Sequence, residues 1–449
     1  MNRLLIALAL TALAGFAAAA PFELQLAKAE SAALEASNLI QATELELKAA
    51  DARGDAGFSL LWPRISLDGN DRYVTHVPTI QLDPRQPPQK FGDNNNYSVG
   101  VGANWTFFDS GNALNLYRSL GLMRDSKSSE LEAKRREVRL KARLSYFQTQ
   151  LMAERARLLA DSLKLSQSQA RDIELRLKAG ASSRIDSLAS KDDVLLRRGQ
   201  YRSARADLAL ALRDLFALTA LGGELDPSVP QEASSADAAP ADTEPATLTL
   251  KTQSLESSLA DLAKAEDSPF NSRQPQLMML QAAAQAARKQ ADAYNAGNWP
   301  TLKASARASY EYPDLPFPPL ETVQQNTFVV SGTWPIFAFG QISAQVKEQE
   351  TLADAQDKRA LALQSDLKRD WLKSHDRLKS LKDQKTLDES SVTETQDLYK
   401  LVYGSYQNGS SSYLEVQNAE LRALESKVRL ASTETQMLIE LALLSSLSE

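Results

Sequence analysis

The segment WTFFDSG at residues 105–111 returns as WPIFAFG at residues 334–340, after an interval of 229 residues. The segment GASS at 180–183 returns after the same interval as GSSS at 409–412. In both copies 75 residues separate the tryptophan from the glycine. Self-similarity over such a long period indicates a duplicated unit rather than an array of short repeats.

The duplication predicts two copies of one structural unit. We expect the first copy at residues 20–220 and the second at residues 248–449. Residues 221–247 are rich in Pro, Ala, Ser and Asp, which is typical of a linker. Residues 1–19 combine a basic start, an apolar stretch and small residues, and we expect them to be a signal peptide.

Long helices are predicted downstream of each repeated tryptophan segment. No proline occurs between Pro88 and Pro227 or after Pro335, and proline breaks helix interiors. A helix of about 65 residues is ~100 Å long at 1.5 Å per residue, which is longer than a compact domain is wide. The expected helices are 112–178, 184–220, 341–407 and 412–447.

The apolar residues of these helices follow coiled-coil spacing. In the last helix the steps alternate between three and four residues: Leu414, Gln417, Leu421, Leu424, Val428, Ala431, Thr435, Leu438 and Ala442. The first long helix carries two seven-residue series, which are Leu144, Leu151, Leu158 and Leu165, and Ala156, Leu163, Ala170 and Leu177. The two series lie roughly 140° apart, so the helix can pack a neighbour on each side, like a stave of a tube. An ordinary antiparallel bundle has the same periodicity.

Each copy also contains a predicted strand hairpin, at residues 62–108 and 299–337. In the second strand of the first hairpin, apolar residues alternate with small or polar ones over 97–107. The first strand of the second hairpin alternates in the same way over 301–312, with Lys303, Arg307 and Glu311 on its polar face. Such alternation is typical of strands between lipid and a wet lumen.

Four of the five tryptophans lie at the strand ends that adjoin the helices, namely Trp62, Trp105, Trp299 and Trp334. If each strand pair is a hairpin, all four lie at one level. We therefore interpret them as an aromatic girdle at the inner membrane interface. The alternative is that tryptophan simply favours strands.

Four strands cannot close a membrane barrel, and an open edge in lipid leaves backbone groups unsatisfied. Three copies give twelve strands and keep the even count of antiparallel barrels. The sequence therefore predicts a mainly α-helical trimer with a shared β-barrel part.

The composition argues against most enzymes. The chain has no cysteine, only two histidines, and no GxxxxGK, GxGxxG or GxSxG motif. We therefore expect neither a catalytic residue nor a metal or other cofactor. A formal net charge of -6 without a basic cluster argues against nucleic acid as a partner.

Taken together, the sequence resembles the TolC family of outer-membrane efflux proteins. The resemblance is carried by the duplicated Trp-Pro strand starts, the two Trp-x-x-Phe-x-x-Gly segments, the glycine turns, and RQPQL at 273–277. It implies a TolC-like homotrimer in the cell outer membrane, with a 12-stranded barrel in outer-membrane lipid and a periplasmic α-helical coiled-coil tunnel. Family members are passive exit ducts that dock with an inner-membrane pump and a periplasmic adaptor.

The resemblance also assigns residues at the far periplasmic end. The turns would be the adaptor-docking tips, formed by Ala179, Gly180, Ala181 and Ser182 and by Asn408, Gly409, Ser410 and Ser411. The pore entrance would contain Asp186, Tyr406, Glu415 and Asn418. Ser411 stands where a family member has an arginine, and Arg184 is the alternative cation for the closing ionic link. For Asp186 and Glu415 the alternative is a carboxylate that merely caps a helix start.

Two other functions fit the same pattern. One is the outer-membrane duct of a type I protein secretion system, which only the partner distinguishes. The other, from a different class, is a periplasmic coiled-coil structural protein whose strands form a soluble sandwich.

Overall fold

The computed structural model describes residues 23–81, 87–221, 251–313 and 320–448. The expected signal peptide and the expected linker, apart from Leu221, lie outside these ranges. The chain divides into two compact units. Of the described residues, the helical unit comprises 23–37, 138–221, 251–268 and 373–446, and the sheet unit comprises 38–81, 87–137, 269–313, 320–372 and 447–448.

Eight α-helices lie in the described residues. They are α1 (Leu26–Ala36), α2 (Asn38–Ser59), α3 (Asn112–Lys178), α4 (Arg184–Thr219), α5 (Leu255–Leu262), α6 (Pro275–Asn295), α7 (Gln341–Gln407) and α8 (Tyr413–Ser448). Short 3-10 helices follow α5 and α6, at Ala263–Ala265 and Ala296–Asn298. The 67-residue helices α3 and α7 occupy the ranges expected from the proline-free stretches.

Four strands form one antiparallel sheet in the order β1-β2-β3-β4. They are β1 (Arg64–Tyr73), β2 (Asn95–Phe108), β3 (Thr301–Tyr312) and β4 (Val323–Thr333). Two-residue pairings join Glu23–Leu24 to Lys251–Thr252 and Thr79–Ile80 to Gln89–Lys90. The second hairpin is shorter than expected, because β4 ends at Thr333 and Pro335 has no N–H to continue the ladder.

The sheet has one apolar and one polar face, as the alternation predicts. The register sets Ile65 opposite Ala103, Ala103 opposite Ala306, and Ala306 opposite Phe328. On the other face Arg307 and Asp68 form an ion pair of 2.7 Å. The sheet unit thus carries an amphipathic sheet whose outer strands, β1 and β4, each pair on one side only among the described strands.

The core of the helical unit lies where α1, α3, α4, α5 and α8 meet. Its buried residues are Ala29, Tyr146, Phe147, Leu215, Leu255, Ala431, Leu438 and Ala442. Each fully buried large side chain contributes roughly 1.5–3 kcal/mol. This apolar core accounts for the packing of the second half of α8.

The seam expected along α8 is correct only in that second half. Ala431, Thr435, Leu438 and Ala442 are buried as expected. Leu414 is 64% exposed and Leu421 is 37% exposed, whereas Val416 and Ala423 are buried in their place. Near its start a different face of α8 packs inside the chain, which leaves Leu414 and Leu421 exposed. Leu424, which follows them in the seam, is half-buried against Ala156 and Leu159 of α3 and Ala204 of α4.

No helix in the described ranges is both long and apolar enough to cross a membrane.

The sheet generates a test at Gly100 in β2. A Cβ there would lie 2.6 Å from Ser309 Cβ and 2.8 Å from the Ala308 carbonyl oxygen, so Gly100→Ala forces β2 and β3 apart. Overpacking of this kind costs about 1–3 kcal/mol. We expect a lower apparent melting temperature of the detergent-extracted protein.

Gly102→Ala is the matched control, because its Cβ would meet no atom closer than 3.8 Å. Equal melting temperatures for the two variants would contradict the close approach of β2 and β3.

Candidate functional site

The two glycine turns end α3 and α7 with the same hydrogen bonds. Gly180 N–H donates to the Leu177 carbonyl (3.0 Å) and Ala181 N–H to that of Arg176 (2.8 Å). In the second copy, Gly409 N–H donates to Tyr406 (3.0 Å) and Ser410 N–H to Ser405 (2.9 Å). The two glycines have φ angles of 75° and 78°. This is the Schellman helix ending, in which a left-handed residue favours glycine.

Seven of the eight expected tip residues are exposed or half-exposed, and none has a side chain longer than that of asparagine. They are Ala179, Gly180, Ala181, Asn408, Gly409, Ser410 and Ser411. The eighth, Ser182, is half-buried and its hydroxyl has no hydrogen-bond partner among the described residues. The structure thus brings each set together in one short turn. Their use as docking tips remains a prediction.

Asp186 and Glu415 each close a capping box at the start of a helix. Ser183 Oγ accepts from Asp186 N–H (3.0 Å), and an Asp186 carboxylate oxygen accepts from Ser183 N–H (3.4 Å). Ser412 and Glu415 make the same reciprocal pair, with both distances 3.3 Å. Within one chain both carboxylates therefore stabilise a helix start. A role in the pore stays a prediction, since it needs several copies of each residue.

The other entrance residues lie nearby. Asn418 is exposed, one turn after the exposed Glu415. Tyr406 packs against Tyr413, with ring centroids 5.8 Å apart, beside the buried residues Ile173 and Val416. Among the described residues, neither Tyr406 nor Arg184 forms a hydrogen bond or ion pair with Asp186. A closing link at Asp186 stays a prediction.

The sequence analysis missed a buried group of three charges next to these turns. Asp193 and Arg197 of α4 are 5% and 2% exposed, and Glu420 of α8 is 5% exposed. Arg197 Nε lies 3.4 Å from an Asp193 carboxylate oxygen. The spacing of Asp193 and Arg197, four residues apart on one helix, is the usual spacing of a surface pair, which is why the sequence did not single them out.

Polar residues of α3 face this charged group. Ser166 donates to Asp193 (2.7 Å), and Ser162 donates to Glu420 (3.0 Å). Gln169 Nε2 donates to the second Glu420 oxygen (3.3 Å). The three α3 residues follow one another at steps of four and three residues, on one helix face. The sequence signal that could have revealed the buried charges is this run of polar residues on a helix face that packs into the core.

Two tyrosines complete the arrangement. Tyr413 Oη donates to Gln169 Oε1 (3.3 Å), and Gln169 Nε2 donates to Tyr399 Oη (2.9 Å). Burial raises the pKa of Tyr399 to about 12, and it also raises the pKa of Tyr413. Burial also raises the pKa of Glu420, an effect that the nearby Arg197 opposes. All four long helices α3, α4, α7 and α8 thus contribute to one buried polar cluster.

The four expected girdle tryptophans share one end of the sheet. Trp105 Nε1 donates to the Leu61 carbonyl (3.1 Å), next to Trp62. Trp334 Nε1 donates to the Asn298 carbonyl (3.0 Å), next to Trp299. In each copy a tryptophan at the end of the second strand therefore donates a hydrogen bond to the segment that leads into the first strand. All four rings are substantially exposed, and a membrane-interface role remains a prediction.

In the part of the chain that the structure describes, no group of three or more His, Cys, Asp or Glu residues is arranged to hold a metal ion.

The fold, with its duplicated strand and helix hairpins, is that of an outer-membrane channel protein. The chain matches the outer membrane efflux protein family over residues 30–221 and 270–448, and it belongs to that family, the TolC-like outer-membrane factors. The protein is therefore an outer-membrane efflux channel that extends into the periplasm, and not an enzyme.

Solved structures support the fold. CusC, whose crystal structures concern transmembrane channel formation, is 18% identical, with a TM-score of 0.71 over 94% of this chain and 92% of that one. The Campylobacter jejuni outer-membrane channel CmeC is 15% identical, with a TM-score of 0.72 over 94% and 85% of the two chains. The Vibrio cholerae outer-membrane protein VceC is 15% identical, with a TM-score of 0.71 over 94% and 96%. No curated protein matches the chain by sequence.

Proposed function

We propose that the protein is the passive exit duct of a tripartite efflux system and acts as a homotrimer. The observation that carries this proposal is the amphipathic four-stranded sheet. Its apolar face is open to its surroundings, with Leu67 76% and Phe328 81% exposed. In lipid, the free edges of β1 and β4 would leave backbone N–H and C=O groups unsatisfied at several kcal/mol each. Three copies that join β4 to β1 close a barrel of twelve strands.

Exposed apolar side chains of the helical unit support the same assembly. Those of α4 include Ile185, Leu188, Leu195 and Leu196, and those of α7 and α8 include Leu387, Leu401 and Leu414. Each of these residues is at least 58% exposed in one chain. Rows of this kind mark surfaces that another protein surface covers. Neighbouring copies would cover them where the helices form the tunnel wall.

The partners follow from the energetics of transport. The sequence carries no nucleotide-binding motif, so energy has to come from a separate protein. An inner-membrane pump would supply it, and a periplasmic adaptor would join that pump to the tips. Because the tips present small side chains, a partner helix can approach their backbone closely.

A type I protein secretion duct would use the same surfaces, and the copurifying pump distinguishes the two. The soluble structural alternative loses support, because it requires the apolar sheet face to be covered.

The first test is the number of chains in the assembly. Native mass spectrometry of the detergent-extracted protein should show three copies. The absence of native cysteine allows a second measurement with Leu67→Cys and Phe328→Cys, which lie on β1 and β4. Three strand spacings of about 4.8 Å separate these strands within one chain, too far for a disulfide. Crosslinks should therefore join different copies and stop at three.

Either single-cysteine variant serves as the control and should give no ladder beyond a dimer. A monodisperse monomer with an intact β-sheet signal would refute the trimer.

The docking role of the tips is tested with substitutions next to Gly180 and Gly409. The glycines themselves are kept, because any other residue at their positive φ angles would strain the turn. Ala181→Trp and Ser410→Trp place bulk on the two exposed turns. We expect loss of efflux, measured as dye accumulation in cells, with unchanged trimer yield. Lys164→Trp, at an exposed position within α3, is the control. Full efflux in both tip variants would remove the docking assignment.

Glu415 is proposed to line the narrowest part of the entrance, with Asn418 as a neutral ring one turn further. Three Glu415 carboxylates around a threefold axis would attract cations and exclude anions. In planar bilayers Glu415→Gln should therefore lose most of the cation preference measured by reversal potential. The control Glu425→Gln removes the same charge at another exposed position of α8 and should retain the cation preference. An unchanged reversal potential in Glu415→Gln would leave Glu415 only its capping role.

A further inference from the structure

An exit duct has no evident use for the three charges buried between α3, α4 and α8. Asp193 and Arg197 belong to the first helical hairpin, α3 with α4, whereas Glu420 belongs to the second, α7 with α8. Asp193 therefore pairs with Arg197 within one hairpin, and Glu420 brings a second buried carboxylate from the other hairpin to the same face of α3. With both carboxylates ionised, this buried group carries a net charge of -1.

Arg197 acts in this group through its charge rather than through directed hydrogen bonds. Its Nε and Nη1 atoms are buried and have no hydrogen-bond partner among the described residues. The closest anionic atom recorded for it is the Asp193 oxygen at 3.4 Å. The carboxylates, in contrast, accept hydrogen bonds from Ser166, Ser162 and Gln169 of α3.

Such an arrangement is costly to bury. Replacing a buried ion group by apolar residues of similar volume is often neutral or stabilising, whereas removing one partner leaves an uncompensated buried charge. Without Arg197, Asp193 and Glu420 would repel each other in a medium that screens charge poorly. Separation of the two hairpins relieves this repulsion, because it lets water reach both carboxylates.

We propose that Arg197 is a positioning residue that holds the two helical hairpins together, and that the net charge of Asp193, Arg197 and Glu420 sets how readily they separate. The consequence for transport rests on the proposed function, because separation of the hairpins would widen the periplasmic entrance.

A chain of hydrogen bonds connects the cluster to the second tip. Tyr413 follows the capping residue Ser412 directly and donates to Gln169, which in turn donates to Glu420. The Tyr413 ring also packs against Tyr406, on the other side of the turn. Gln169 of α3 therefore contacts both Glu420 and the first residue of α8, so separation of the hairpins breaks both contacts together.

The test compares variants whose buried charge differs. Arg197→Met leaves a charge of -2, and the triple variant Arg197→Met, Asp193→Asn, Glu420→Gln leaves none. In planar bilayers Arg197→Met should raise the open probability at least tenfold, and the triple variant should return it to within about twofold of the wild-type value, since tenfold corresponds to only about 1.4 kcal/mol. Arg198→Met removes the neighbouring charge and is the matched control.

Hydrogen exchange of the detergent-solubilised wild type and variants gives a readout that does not depend on conduction. Faster exchange over residues 413–420 in Arg197→Met, reversed in the triple variant, would support the proposal. Exchange equal to that of Arg198→Met would overturn it, as would a triple variant that exchanges as fast as Arg197→Met or fails to fold. If Arg197→Met fails to assemble but the triple variant assembles, the proposal is supported, because the two variants differ in the buried charge that remains. A wild-type protein that conducts no ions would contradict the exit-duct function alone.

Discussion

The free backbone edges of the four-stranded sheet are the constraint on which the proposed assembly depends. Backbone N–H and C=O groups can be left to water on a soluble protein, but in hydrocarbon they require partners. The sheet pairs β1 with β2, β2 with β3 and β3 with β4, and the described residues of one chain offer no further strand to β1 or β4. A shared barrel satisfies these edges, turns the apolar face toward lipid and leaves the polar face, with Arg307 and Asp68, toward a lumen.

Duplication gives the molecule two helical hairpins with matching ends. Gly180 and Gly409 terminate α3 and α7 with the same hydrogen bonds, and capping boxes at Ser183 and Ser412 start α4 and α8. The hairpins differ in their interior. Among the described residues, the buried arginines, Arg143 and Arg197, both lie in the first hairpin, whereas the buried glutamates, Glu420 and Glu440, both lie in α8 of the second. Matching ends suit a surface that a repeated partner helix contacts, whereas the unequal interiors give the contact between the hairpins a charge that can be changed.

Glu415 and Glu420 show how two carboxylates of one helix acquire different roles. They lie five residues apart, or roughly 140° around α8. Glu415 is exposed and caps the helix, whereas Glu420 is buried against α3, and burial raises its pKa. The exposed group is available to a lumen and its ions. The buried group acts on the packing of the helices, so charge at the entrance and cohesion of its wall are separate properties.

The sequence by itself determined the duplication, the ranges of the long helices, the two hairpins and the family, because proline, glycine and alternating residues constrain the backbone locally. It also placed the two glycine turns and the four tryptophans, whose positions follow from helix and strand ends. It failed for the first half of α8, where Leu414 and Leu421 are exposed although their spacing predicts a buried seam. It also did not predict that Asp193, Arg197 and Glu420 form one buried cluster, since Arg197 and Glu420 are 223 residues apart in the chain. Which face of a helix is buried depends on the neighbours that tertiary packing supplies, and periodicity alone contains no information about them.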